Sequence, residues 1–149
     1  MDLPASLGRT QIAIAVAVLA IMGLMAVPFT TSCGKKNRLA DIQRNAEDLR
    51  QAELRHKEAF SEYIAAEDAP RAQTAVNGLP VSWVATRGFE KLSWAPGDIA
   101  EVWASYRVVR TESGFTVTAK CDLDGDGRMA VFTATESQPA KLETPHGVY

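Results

Sequence analysis

From Ile12 to Phe29 the chain carries no charged residue. An α-helix rises about 1.5 Å per residue, so this run reaches roughly 27 Å, enough to cross a bilayer core. It is longer than the usual core of a signal peptide. A buried core helix of this length would also be unusual in so small a domain. The run therefore predicts a membrane-spanning helix. Of the 149 residues 46% are hydrophobic, an ordinary globular value, but they are unevenly placed, and the sequence after the run is polar. That length suits one anchor and one modest domain. The formal net charge of -2 gives no sign of a nucleic-acid partner.

Charge gives a first reading of orientation. Arg9 is the one cation before the run and Asp2 offsets it, whereas Lys35, Lys36 and Arg38 follow it. Taken alone, the positive-inside rule would put the C-terminal part in the cytoplasm. The three cations suit a membrane edge, where they meet anionic headgroups. Cys33 has two readings. Thr30 to Cys33 makes a poor lipobox, because Thr30 stands where leucine is usual. An inert thiol at the membrane edge fits better than a lipidated one. Cys33 and Cys121 are too few for a disulfide framework, and their spacing leaves a single bridge open.

Helical spacing continues beyond the apolar run. Leu39, Ile42, Ala46, Leu49, then Ala52 or Leu54, then Phe60, Tyr63 and Ile64 recur at steps of three and four. Arg44 with Asp48 and Glu53 with Lys57 are spaced for ion pairs on the wet face. Asp68-Ala69-Pro70 should stop the helix, because the residue before proline avoids the α region. One helix from Thr10 to Ala66 would be on the order of 85 Å long, with a kink or local melting between Pro28 and Gly34. No small core covers such a rod, so half of it needs lipid or other chains.

Residues 67–98 read as a loop region punctuated by Pro70, Asn77-Gly78, Pro80, Gly88 and Pro96-Gly97. Trp83, Phe89 and Trp94 should pin it to the head. Three strand-like runs follow, over 101–110, 115–120 and 129–135, with a turn at Thr111-Glu112-Ser113-Gly114. Such a sheet needs a cover, and the polar half of the helix supplies it. The fold class expected is α+β: a long N-terminal helix packed on a three- to four-stranded antiparallel sheet.

In this arrangement the chain resembles the bacterial type IV pilins with short heads. Aligning their helix proline with Pro28 sets Lys36, Arg38 and Asn45 opposite common pilin residues. It also sets Leu49-Arg50-Gln51-Ala52-Glu53 opposite the pilin run Ile-Arg-Thr-Ala-Glu. The stretches Gly88-Phe89-Glu90-Lys91-Leu92-Ser93-Trp94-Ala95-Pro96, Ser105-Tyr106-Arg107-Val108, Phe115-Thr116-Val117-Thr118-Ala119, Asp122-Leu123-Asp124-Gly125-Asp126-Gly127 and Phe132-Thr133-Ala134-Thr135 resemble the pilin head. The likeness implies a leader over 1–6, a membrane or filament-core half over 7–34, an amphipathic half over 35–66 and a head over 67–149. It places peptidase cleavage between Ser6 and Leu7, with methylation of the new amine. Pilins usually have Gly before the cut and Phe after it. Gln11 stands where pilins carry the glutamate that pairs with a neighbour's amine. Those departures fit a minor or accessory pilin-like protein, or an uncleaved anchor, better than the main subunit. The resemblance also puts the head on the periplasmic side of the inner membrane, and a whole-chain likeness outweighs the charge rule.

Few residues suggest chemistry. Asp122-x-Asp124-x-Asp126-Gly127 copies the first half of a calcium loop, but the twelfth position would be Thr133 rather than Glu. A hairpin turn built on Asp and Gly is the favoured reading. His56 and His146 have no partner at ligand spacing, and no nucleophile elbow, phosphate loop or zinc-protease pair occurs. An enzyme is not expected. The expected role is a pilin-like subunit that binds membrane lipid, packs against other pilin subunits and engages the pilus assembly machinery. Its assembly residues would be Gln11, Ala13, Ala17, Ala20, Gly23 and Pro28. The alternative is a membrane-anchored periplasmic binding module, with calcium as its one candidate cofactor, that does not polymerise.

Overall fold

The computed structural model describes residues 9–70, 78–97, 101–145 and 147–148, with side chains from residue 34 onward. The chain divides into two compact units, Met1–Lys36 and Asn37–Tyr149. The elements are α1 (Arg9–Phe60), β1 (Ala66–Ala69), β2 (Val81–Ser82), α2 (Arg87–Leu92), β3 (Glu101–Val102), β4 (Ser105–Arg110), β5 (Phe115–Cys121), β6 (Ala130–Thr135) and β7 (Lys141–Leu142). The fold class is α+β.

In the first unit the described backbone is helical from Arg9. Residues 28–34, where a kink or local melting is expected, are assigned to helix α1 without a melted break. The side chains of residues 12–29 lie outside the described residues, and so does the test of their membrane-spanning reading. Among the described residues no helix is long and apolar enough to cross a membrane.

In the second unit α1 buries Ile42, Ala46, Leu49 and Ala52 in one core with the sheet. Their spacing keeps them on a single helix face. The rest of the expected stripe differs. Phe60 is 68% exposed, and the helix ends there rather than at Ala66. Ser61 adopts a left-handed φ of 61°, while its N–H still donates to the Lys57 carbonyl at 2.8 Å. The chain then reverses, and Tyr63 and Ile64 reach the core from the turn. The wet-face ion pairs are also rearranged. Arg44 pairs with Asp41 at 3.1 Å rather than with Asp48, and Glu53 is fully buried.

The sheet has five strands in the order β1-β4-β5-β6-β7, all neighbours antiparallel, and β2 pairs with β3 in a separate ribbon. The central hairpins are those expected. Val108 faces Val117 across β4–β5, Val117 faces Ala134 across β5–β6, and Thr111 N–H closes the first turn on the Gly114 carbonyl at 2.8 Å. Alternate residues Tyr106, Val108, Phe115, Val117, Ala119, Ala130, Phe132 and Ala134 are buried, as the period of two requires. The count of three or four strands is corrected by the edges. Strand β1 reads Ala-Glu-Asp-Ala, without β-branched or aromatic residues, and pairs through its two buried alanines. Strand β7 is only two residues long.

The described residues among 67–98 form more than a plain loop. They hold part of β1, the strand β2 and the short helix α2, which buries Phe89 and Leu92. The aromatic pins act as expected and join Tyr106. Trp83 lies 5.3 Å from Phe89 and 5.6 Å from Trp94, and Trp94 lies 5.2 Å from Tyr106, mostly edge to face.

Candidate functional site

The loop between β5 and β6 brings the three aspartates together. One carboxylate oxygen from each of Asp122, Asp124 and Asp126 lies within 4.8 Å of the others. Three close carboxylates are the donor type that calcium takes. The loop is also closed by its own bonds. Asp122 is nearly buried, and its two oxygens accept the N–H groups of Gly125 at 2.7 Å and Gly127 at 2.8 Å. Asp126 accepts the Arg128 N–H at 2.8 Å. Gly125 and Gly127 have φ of 72° and 83°, a region that costs glycine little. From outside the loop, the Gly78 N–H donates to the Asp122 carbonyl at 2.8 Å. Asp122 therefore acts as the staple of a turn, while Asp124 and Asp126 stand exposed beside it.

Cys121, next to this loop, is a free thiol with no exposure. Burial, helped by Asp122 and Asp124, pushes its pKa up to about 12, so the thiol is neutral and unreactive at ordinary pH. The side chain of Cys33 lies outside the described residues. So do those of Gln11, Ala13, Ala17, Ala20, Gly23 and Pro28, although their positions fall within α1. Ser6 and Leu7 lie outside the described residues altogether.

Two features of α1 were missed in the sequence. Glu47 accepts bonds from Arg50 at 2.7 and 2.9 Å, from the Gln51 side chain at 2.9 Å and from the Ala140 N–H at 3.0 Å. The Arg50 guanidinium beside it is the largest reason its pKa falls to about 2, against the opposing effect of burial. The second is Glu53. Its Oε2 accepts the Ile64 N–H at 3.0 Å, and its Oε1 is buried with no hydrogen-bond partner among the described residues. Burial pushes its pKa up to about 7, and the Ile64 bond opposes that. Lys57, four residues on, reads as the partner of Glu53, but it turns to the Ser61 carbonyl at 2.8 Å. The available signal was position: Glu53 follows Ala52 directly and lies four residues after Leu49, on the margin of the apolar face.

The fold is thus α+β, with one helix face laid on an antiparallel sheet. No known family model matches the chain, nor does any curated protein or solved structure.

Proposed function

We propose that the chain is a pilin-like structural subunit, minor or accessory, held in the inner membrane by residues 7–34 with its head on the periplasmic side. The observation that carries this reading is α1. A single helix of 52 residues supplies the cover of the sheet through Ile42, Ala46, Leu49 and Ala52, and it includes the charge-free run 12–29. The covering residues Ile42 to Ala52 occupy only part of that helix. The run 12–29 carries no charge on any side, which suits lipid first and a bundle of like helices afterwards. Assembly then transfers one apolar surface from lipid to protein, and packing between helices must offset the lost lipid contacts. Ala13, Ala15, Ala17, Ala20 and Gly23 permit the close approach that such packing uses. The head is a structural surface in this reading, without a catalytic role.

The test is the mature N-terminus, read by mass spectrometry from membranes and from sheared filaments. A chain that begins at Leu7 with a methylated amine, and that co-purifies with filaments, is the expected result. A chain retaining Met1 and absent from filaments would sink the assembly reading, and one beginning at Cys33 would make the protein a lipoprotein.

A second reading has its own support. Gln11 lacks the charge that pilins use for registration in the filament, and the Asp122, Asp124 and Asp126 oxygens converge. A membrane-anchored periplasmic binding module that takes up calcium and does not polymerise accounts for both. Cleavage at Leu7 and incorporation into sheared filaments separate the two, and calorimetric titration of the full chain with calcium tests the uptake, because the turn reading expects no heat of binding.

A further inference from the structure

The turn that joins α1 to β1 is fastened by a carboxyl group. After Ser61 the chain leaves the helix, and the Ile64 N–H donates to Oε2 of Glu53 at 3.0 Å. Glu53 has no exposure, and its Oε1 has no partner among the described residues. The cations around it are engaged elsewhere. On α1, Arg50 is held by Glu47, and Lys57 is held by the Ser61 carbonyl. On β4, Arg110 lies 3.9 Å from Glu62 and donates to the Tyr63 carbonyl at 3.4 Å. The remaining titratable neighbours are His56, Tyr63 and, from the segment after β6, Glu136. Nε2 of His56 is buried without a partner, and Tyr63 interacts with both Glu136 and Glu53. Among the described residues no cation pairs with Glu53. An ionised Glu53 would therefore be a buried anion compensated by one N–H, an arrangement that proteins avoid.

We propose that Glu53 is a proton-operated clasp: as the neutral acid it keeps residues 61–65 docked, and loss of its proton to solvent releases them. The neutral form keeps the Ile64 N–H satisfied without burying a charge. The ionised form gains most by reaching water, which requires the turn to open. The turn is well placed for a local opening. It borders two open clefts of about 360 and 310 Å³, both lined by Glu62, Tyr63 and Arg110, so its outer side is already wet. What opens is confined to residues 61–65 and the contact of Tyr63 with Phe115, whose ring centres lie 4.8 Å apart, while the sheet itself keeps its ladders. Burial raises the carboxyl from 4.5 to about 7, which sets the range of action. A group whose folded pKa is raised keeps its contribution below the unfolded value and loses it as pH rises to the folded one.

The experiment is amide hydrogen exchange at Ile64 in the full chain in detergent micelles, corrected for the intrinsic pH dependence of exchange. Protection in the wild type should be constant below about pH 4.5, fall on the order of a hundredfold by about pH 7 and level off above it. In Glu53→Gln, which keeps an oxygen for Ile64 and cannot ionise, protection should stay flat across the same range. Wild-type protection that ignores pH, or an equal fall in Glu53→Gln, overturns the proposal. Should Glu53→Gln not fold, the carbon-13 titration of the wild-type Glu53 carboxyl decides. A midpoint near neutrality that coincides with the fall in wild-type Ile64 protection supports the clasp, and one in the ordinary carboxylate range, or one that the Ile64 protection does not follow, overturns it.

Discussion

Glu47 on α1 accepts the backbone N–H of Ala140 at 3.0 Å, joining residues 93 positions apart in sequence. One turn earlier on the helix, Gln43 donates its side-chain amide to the carbonyl of the same Ala140 at 2.8 Å. Both backbone groups of the residue before β7 are thus satisfied by side chains at i and i+4 of one helix, in place of a further strand.

Glu47→Ala removes the acceptor of Ala140 and leaves Arg50 without its carboxylate. The lowered Glu47 pKa, with Arg50 its first cause, means that the stabilisation is complete above the ordinary carboxylate range and is lost as pH falls towards about 2. The side chain is 30% exposed, so solvent screening reduces the value to about 1–2 kcal/mol. Urea denaturation at neutral pH should show that loss for Glu47→Ala, and at about pH 2 the variant and the wild type should converge.

Glu53 acts in the opposite direction, six residues along the same helix. Its raised pKa withdraws stability between pH 4.5 and about 7, by up to about 3 kcal/mol. Glu53→Gln should therefore be more stable than the wild type at about pH 8 and no more stable at about pH 4. With Glu47 failing in acid and Glu53 above the ordinary carboxylate range, the wild type should be most stable near about pH 5. Denaturation midpoints across pH test both statements. A Glu53→Gln midpoint that stays below the wild type at every pH would refute them.

The parts of the fold legible in sequence were those with a strong period. Val117, Ala119, Phe132 and Ala134 alternate, and Ile42, Ala46 and Leu49 step by three and four, so the central hairpins and the helix face follow directly. The end of α1 was not legible, because no Gly or Pro stands near Phe60: Ser61 takes the left-handed φ there, and the bond from Ile64 back to Glu53 holds the reversal. Strand β1 was hidden for a related reason: Glu67 and Asp68 are poor strand formers, and only tertiary pairing with β4 makes them one. The acidic loop was legible as a cluster and as a turn alike. The closing bonds of Asp122 explain the turn, and the convergence of the three carboxylates leaves the calcium reading to experiment. Glu47 and Glu53 are both glutamates on one helix, and spacing alone does not tell which carboxyl meets Arg50 and which meets a dry wall.

Gly88 is required by packing and not by its backbone angle. A Cβ there would stand 2.5 Å from the Ala65 carbonyl oxygen and 2.5 Å from the Ala66 Cα, both backbone atoms of the chain entering β1. Neither can move without shifting α2 or the strand. Gly88→Ala should cost about 2–3 kcal/mol. Gly114 makes the control. Its added Cβ would meet the Glu136 Oε2 at 2.9 Å, the far end of a flexible side chain. Gly114→Ala should stay within about 1 kcal/mol of the wild type. Equal losses for the two variants in thermal melts would show that the approach of α2 to β1 is looser than these distances.

Asp122→Ala tests whether the acidic loop is stapled by its own carboxylate. The substitution orphans the Gly125 and Gly127 N–H groups beside a core that includes Cys121 and Leu123. Two lost charge-assisted bonds at a nearly buried position should cost about 2–3 kcal/mol, or about 8–15 °C in melting temperature for a head of this size. Asp126→Asn keeps an oxygen for Arg128 and should be nearly neutral. If the loop is a turn, these differences are the same in excess calcium and in chelator. A calcium-dependent rise in the wild-type melting temperature that Asp126→Asn abolishes would instead assign the loop to metal, because a ligand stabilises in proportion to its occupancy of the folded state.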